Sequence, residues 1–184
     1  PDLIQSIEPN VVFVATGSRP CSLDIPGIKK ERVVVAADVL LGKKAIGEPM
    51  IIIGAGSVGC ETALYLAQQG KKVTVVECFD TMRDTFWVNA LDLKERLDNA
   101  KVEILTYTNV LEITDEGVVI ADQEGKINTL EAATIILAVG LKPNKELAEA
   151  LHDKLPEVYA IGDCLDSRLV LNAIWEGFRT ARLV

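Results

Sequence analysis

The sequence of 184 residues is 49% apolar and 25% charged, with a formal net charge of −8, a balance that supports a globular core of ordinary size. The acidic surplus is spread along the chain and argues against a nucleic-acid partner. The longest apolar runs fall far short of the roughly 20 residues that span a membrane, and no secretory signal is visible. Cys21, Cys60, Cys78 and Cys164 form no Cys-x-x-Cys pair, which argues against a dithiol centre, a zinc knuckle or an iron–sulfur cluster in this segment. A reducing, cytoplasmic setting is the expectation.

Residues 1–9 read as the tail of a helix leading into a strand. With no initiator methionine, a piece of a larger protein is expected. Residues 10–15 form a β-branched run with little alternation, the pattern of a strand buried on both faces, stopped by Thr16-Gly17-Ser18-Arg19-Pro20. An irregular stretch leads to a short strand at 33–35 and a brief helix at 37–41, whose Asp38 favours the first-turn amides. A strand at 50–53 precedes a glycine cluster, a helix over 58–69 with apolar positions at Val58, Thr62 and Leu66 and, one step off, Ala63 and Ala67, and a stop at Gly70. A second strand spans 72–76.

A helix over 84–100, with Val88, Leu91 and Leu97 as apolar positions, leads to a third parallel strand at 102–105. The period then changes to 2 in three short strands, 110–113, 118–121 and 127–130, joined by Asp115-Glu116-Gly117 and Glu124-Gly125, so the expected crossover is an antiparallel ribbon. A buried strand at 134–139, a short helix near 146–151, a strand at 158–161 and an amphipathic helix over 169–183 complete the chain. Trp87 and Trp175 are expected to be packing residues. His152, the single histidine, is expected on the surface.

The chemistry concentrates at Gly54-Ala55-Gly56-Ser57-Val58-Gly59. A pyrophosphate is held where helix-start amides and the helix dipole face it without side-chain obstruction. Gly54 permits the tight turn, Gly56 lets the backbone approach the phosphates, and Gly59 lets the helix lie close to the strand. Glu77, ending the second strand, is placed to accept hydrogen bonds from an adenine ribose, which favours NAD(H) over its 2′-phosphorylated form. An S-adenosylmethionine site shares part of this logic. Cys60, just inside the helix, is expected to be a buried packing thiol. No catalytic or metal-ligating constellation accompanies the turn, and hydride transfer needs none from the protein.

Four ordered segments then carry a resemblance. Residues 14–20, the Gly54–Gly59 cluster with Glu61 and Glu77, residues 136–144 (Ile-Leu-Ala-Val-Gly-Leu-Lys-Pro-Asn) and residues 158–164 (Val-Tyr-Ala-Ile-Gly-Asp-Cys) resemble the pyridine nucleotide-disulfide oxidoreductase superfamily. The branch they resemble most is the one fused to old-yellow-enzyme-like barrels, which includes NADH:flavin oxidoreductases of the 2,4-dienoyl-CoA reductase and 2-enoate reductase type. Residues 173–181 also look like that branch's C-terminal helix. Val139 stands where many relatives have threonine.

The resemblance implies a three-layer Rossmann-like α/β domain at 44–141 binding NAD(H), set between two portions, 1–43 and 142–184, of an FAD-type domain. It implies that Thr16 and Gly17 lie at the crossover, that Glu61 and Gly140 lie toward the nicotinamide end, and that Gly162 and Asp163 serve FAD. The first glycine cluster of the FAD domain, the FMN barrel and its cysteine cluster have no counterpart in this sequence. FMN and an iron–sulfur cluster are therefore expected in other parts of a parent flavoenzyme, and the chain alone is expected neither to retain FAD nor to reduce the final substrate. The competing expectation is a non-catalytic module that holds ADP or NAD structurally.

Overall fold

A computed structural model describes residues 1–83, 85 and 87–184. In chain order the elements are α1 (Asp2–Ile7), β1 (Val11–Val14), β2 (Ser18–Pro20), β3 (Val33–Val35), α2 (Ala36–Leu40), β4 (Met50–Ile53), α3 (Ser57–Gln68), β5 (Val73–Val76) and α4 (Trp87–Asn99). They continue with β6 (Glu103–Leu105), β7 (Asn109–Ile113), β8 (Gly117–Ala121), β9 (Ile127–Glu131), β10 (Thr134–Leu137), β11 (Leu141–Pro143), α5 (Glu146–Leu151), β12 (Glu157–Ala160) and α6 (Val170–Ala181). The chain forms two units, Cys21–Gly140 and the flanking Pro1–Pro20 with Leu141–Val184.

The central unit is built on a parallel sheet of order β3-β10-β4-β5-β6. β4 is its middle strand, and all four of its residues are buried, as an unbroken apolar run requires of a strand covered on both faces. Period-2 alternation sends Ile52, Val75 and Ile136 to one face, where they pack with Cys60, Ala63 and Leu66 of α3 and with Leu93 and Leu97 of α4. Ile51, Ile53, Val76, Ile135 and Leu137 point to the other face and meet Ile113, Val118 and Ile120 of the β7-β8-β9 ribbon. The layers are thus helices, parallel sheet and antiparallel ribbon, the three-layer α/β arrangement expected from the sequence.

The ribbon forms because residues 109–131 alternate and turn sharply. β7, β8 and β9 pair antiparallel, with a register shift between Val110 and Glu112. Asp122 closes the second turn by accepting the Glu124 and Lys126 amides at 3.0 and 2.9 Å. Where the unit begins and ends, the Cys21 amide donates to the Gly140 carbonyl at 3.0 Å.

The boundary differs from the sequence expectation. Residues 21–43, read there as part of the outer portion and its linker, lie in the central unit, because β3 completes the parallel sheet beside β10. Two helical faces also differ. Thr62 and Leu66 of α3 are buried as expected, and Gly59, Cys60 and Ala63 with them, whereas Val58 is 46% exposed, because the first turn approaches the strand through Gly59 and Cys60. In α4 the buried residues are Leu93 and Leu97, with Val88 and Leu91 outside. The Asp84 start expected for this helix lies outside the described residues.

The flanking unit pairs β1 with β12 in parallel, Val14 opposite Ala160, and β2 with β11 antiparallel, a pair that the sequence reading missed. Val14, Leu151 and Cys164 form its small core, and the Cys164 thiol donates to the Val14 carbonyl at 2.9 Å. The apolar stripe of α6 is present as expected, but none of its residues is buried, and Trp175 is 55% exposed against the edge of Phe178. Trp87 is 66% exposed as well. Both tryptophans, expected to be packing residues, are thus more than half exposed. Among the described residues no helix is long and apolar enough to cross a membrane.

The corrected face of α4 has a measurable consequence. Leu97→Ala, at a fully buried position, lowers stability by about 2–5 kcal/mol in urea unfolding. Leu91→Ala, on the exposed face, stays within about 0.5 kcal/mol of the native chain.

Candidate functional site

The turn after β4 is tightened by two backbone approaches. Gly54 has φ +104°, and a Cβ on it would stand 2.5 Å from the Ala138 carbonyl oxygen. A Cβ on Gly59 would stand 1.9 Å from the Gly54 carbonyl oxygen. Gly54 therefore requires glycine for conformation and for space, and Gly59 for space. Gly56 is the extended N-cap residue of α3, and no side chain caps that helix. Such a helix start presents amides that no carbonyl of its own helix can take, the chemistry that holds an anionic phosphate pair.

Glu77 leaves β5 half-buried with both carboxylate oxygens engaged. One accepts the Ala55 amide at 2.7 Å and the other accepts the Phe79 amide at 2.9 Å. The acid thus sits directly beside the glycine turn, at the carboxyl edge of the parallel sheet, where open α/β sheets take ligands. Partial desolvation, and after it the Glu77 carboxylate, push the neighbouring Cys78 thiol above its ordinary range.

Of the cations able to oppose Glu77, Lys71 and Lys72 stand at the far end of β5, where the Lys71 ammonium and the Lys72 amide both bind Glu48. Arg83 is at the near end and lies over the Phe79 ring, 4.8 Å from its centroid.

The loop after β5 closes on the turn through contacts with no signal in the sequence. The Met82 amide donates to the Ala55 carbonyl at 2.7 Å, and the Ser57 and Thr85 hydroxyls are 3.0 Å apart. Cys60 is buried, its thiol donating to the Ala55 carbonyl. Glu61 is exposed on α3, and Gly140 is exposed with φ +94° past the end of β10. The structure therefore gathers Gly54, Ala55, Gly56, Ser57, Val58, Gly59 and Glu77 around one turn. A groove of about 530 Å³ lined by Arg32, Glu48, Asp115 and Glu131 lies instead where the strands begin, away from this turn.

In the flanking unit Thr16, Gly17, Gly162 and Asp163 follow the carboxyl ends of β1 and β12. The Thr16 hydroxyl donates to the Asn144 carbonyl at 2.9 Å, and the Asn144 side-chain amide donates to the Thr16 carbonyl at 3.1 Å. The Asp163 carboxylate accepts the Ser18 hydroxyl at 3.1 Å. Glu176 of α6 accepts the Gly162 amide at 2.8 Å and pairs with Arg168, a tie that sequence reasoning did not find. His152 is exposed beside Asp153. Among the described residues no group of three or more potential metal ligands occurs.

The approach at Gly59 generates a direct test. Gly59→Ala drives the first turn of α3 off the strand and lowers stability by about 1–3 kcal/mol in denaturant unfolding. Gly177→Ala, inside α6 with nothing near its added carbon, is neutral or stabilises by up to about 1 kcal/mol.

The sequence matches the pyridine nucleotide-disulphide oxidoreductase family over residues 4–177. It is 37% identical to the NADH oxidase of Thermoanaerobacter brockii over 98% of the chain and 29% of that protein. It is 35% identical to the cinnamate reductase of Clostridium sporogenes over 93% of the chain and 26% of that protein. The fold superposes on a 2-naphthoyl-CoA reductase complex with a TM-score of 0.89 at 34% identity, covering 97% of this chain and 27% of that one. The chain spans less than a third of the length of these relatives. By sequence match and by fold, this chain belongs to the pyridine nucleotide-disulphide oxidoreductase family.

Proposed function

We propose that the chain is the NADH-binding portion of a flavin-dependent oxidoreductase, positioning NADH for hydride transfer to FAD in a parent enzyme that reduces an activated alkene such as an enoate or a dienoyl-CoA. The observation that carries this reading is the Glu77 carboxylate bound to the Ala55 amide at 2.7 Å, which sets a ribose acceptor against a pyrophosphate turn. The names of the relatives, an NADH oxidase, a cinnamate reductase and a naphthoyl-CoA reductase, support the same reaction class.

In this reading the central unit binds the dinucleotide and the flanking unit belongs to an FAD-binding domain. Gly54 shapes the turn, Gly59 lets the helix lie against it, Gly56 keeps a side chain out of the pyrophosphate path, and the backbone of Ala55, Ser57 and Val58 lines it. Glu77 accepts the adenine ribose hydroxyls, and Glu61 and Gly140 border the nicotinamide end. Thr16 and Gly17 serve the crossover, while Gly162 and Asp163 serve FAD, Asp163 held in place by Ser18. NADH, when bound, supplies a hydride, and the protein's work is to orient it and limit solvent access. FMN and an iron–sulfur cluster belong to other parts of the parent. The Cys60 and Cys164 thiols, each donating to a backbone carbonyl, fit a reducing cytoplasm.

Glu77 makes the cofactor preference testable. A 2′-phosphate beside this carboxylate brings two anions together in a partly desolvated crevice. Fluorescence titration of the chain is expected to show at least tenfold tighter binding of NADH than of NADPH, a difference of about 1.4 kcal/mol, and Glu77→Ala is expected to remove the preference. Equal affinities in the native chain, or an unchanged preference in the variant, would take Glu77 out of this role. In the complete parent, NADH bleaches the flavin absorbance; nucleotide binding without bleaching would instead identify a structural nucleotide.

A further inference from the structure

Resting on the reading of the flanking unit as part of an FAD-binding domain, we propose that Glu176 is a positioning residue for FAD, setting the Asp163 carboxylate through its hold on the Gly162 amide. The Glu176 side chain is only 20% exposed. One of its oxygens accepts the Gly162 amide at 2.8 Å, and the other accepts the Arg168 guanidinium. Arg168 is bound in turn to Asp166 at 3.2 Å, so the Glu176 carboxylate is charge-paired on one side and tied to the backbone on the other.

α6 meets its own unit through its polar side. Asn172, Ala173, Glu176, Gly177 and Thr180 recur at helical spacing and are its partly buried residues, while Ile174, Trp175 and Phe178 are each more than half exposed. A surface helix ordinarily turns its apolar stripe to the core. The side that α6 turns inward offers hydrogen-bonding groups in place of apolar bulk, and Glu176 is the charged residue on it.

The held amide matters because of the residue that carries it. Gly162 has φ +66°, and glycine populates this left-handed region about as readily as the right-handed one. A bond to a charged acceptor, the stronger kind, selects one of the two and with it the direction in which Asp163 leaves the turn. Beyond Asp163, the Cys164 thiol donates to the Val14 and Ile161 carbonyls at 2.9 and 3.1 Å. Asp163 is thus fixed through both neighbours. One of its carboxylate oxygens accepts the Ser18 hydroxyl, and among the described residues the other has no hydrogen-bond partner. An oxygen that only accepts suits the hydroxyl-bearing portion of FAD.

The experiment measures FAD affinity by flavin fluorescence in the complete parent carrying Glu176→Leu, Glu176→Asp or Glu176→Gln, and exchange of the Gly162 amide in the full chain with the same substitutions. Leucine removes the acceptor and aspartate shortens its reach. Both are expected to weaken FAD at least tenfold and to speed Gly162 exchange at least tenfold, and Glu176→Asp stands in for the leucine variant if that one does not fold. Glu176→Gln, which keeps an accepting oxygen at the same reach, is expected to stay within threefold of native in both measurements. In an Asp163→Ala background, Glu176→Leu is expected to weaken FAD by less than a further twofold, because a residue acting through Asp163 then has nothing left to position. A full additive loss there, a glutamine variant as weak as the leucine one, or native affinity in both the leucine and aspartate variants would overturn the role. Unchanged affinity in Asp163→Ala alone, or a parent without FAD, would overturn the FAD reading of this unit instead.

Discussion

The first turn of α3 lies so close to the turn leaving β4 that a single carbon on Gly59 would overlap the Gly54 carbonyl oxygen. Much of the central unit follows from that contact. It draws the helix down onto the sheet, so the side chains between them must be small, and Cys60 and Ala63 fill that space with no exposure at all. It also aims the start of the helix at the carboxyl edge of the strands, where the dipole and the backbone amides face the same side as Glu77.

The sheet that carries this turn is supported differently on its two faces. Helices cover one and the three-stranded ribbon covers the other, yet β4 and β10 are equally buried from both sides. The ribbon supplies Ile113, Val118 and Ile120, all nearly inaccessible to solvent. Such a sandwich leaves the strand ends as the edges where backbone groups and loops can meet a ligand, and the glycine turn, Glu77 and the Phe79 loop all emerge at one of them.

Polar ties then convert loops into fixed geometry. Glu77 holds two amides at once, and Met82 returns its own amide to the glycine turn. In the flanking unit Asp163 is steadied by Ser18, and Gly162 by Glu176. Hydrogen bonds to charged acceptors are the stronger kind, which suits them to hold turns that have few apolar contacts of their own.

The sequence by itself determined the order of the strands and helices other than β2 and β11, the antiparallel ribbon and the glycine turn with its acid, because periodicity, β-branching and glycine spacing are local signals. Met50–Ile53 and Glu146–Leu151 were legible to the residue for that reason. Only the tertiary structure decided that β3 joins the central sheet, that β2 pairs with β11, and that Val58 and Leu91 face outward. Strand partners and helix rotation depend on residues far apart in the chain, such as Val33 and Ile135. The Ser57–Thr85, Met82–Ala55 and Glu176–Gly162 contacts had no sequence signature either, since a hydrogen bond between distant loops exists only once packing has brought its donor and acceptor within reach.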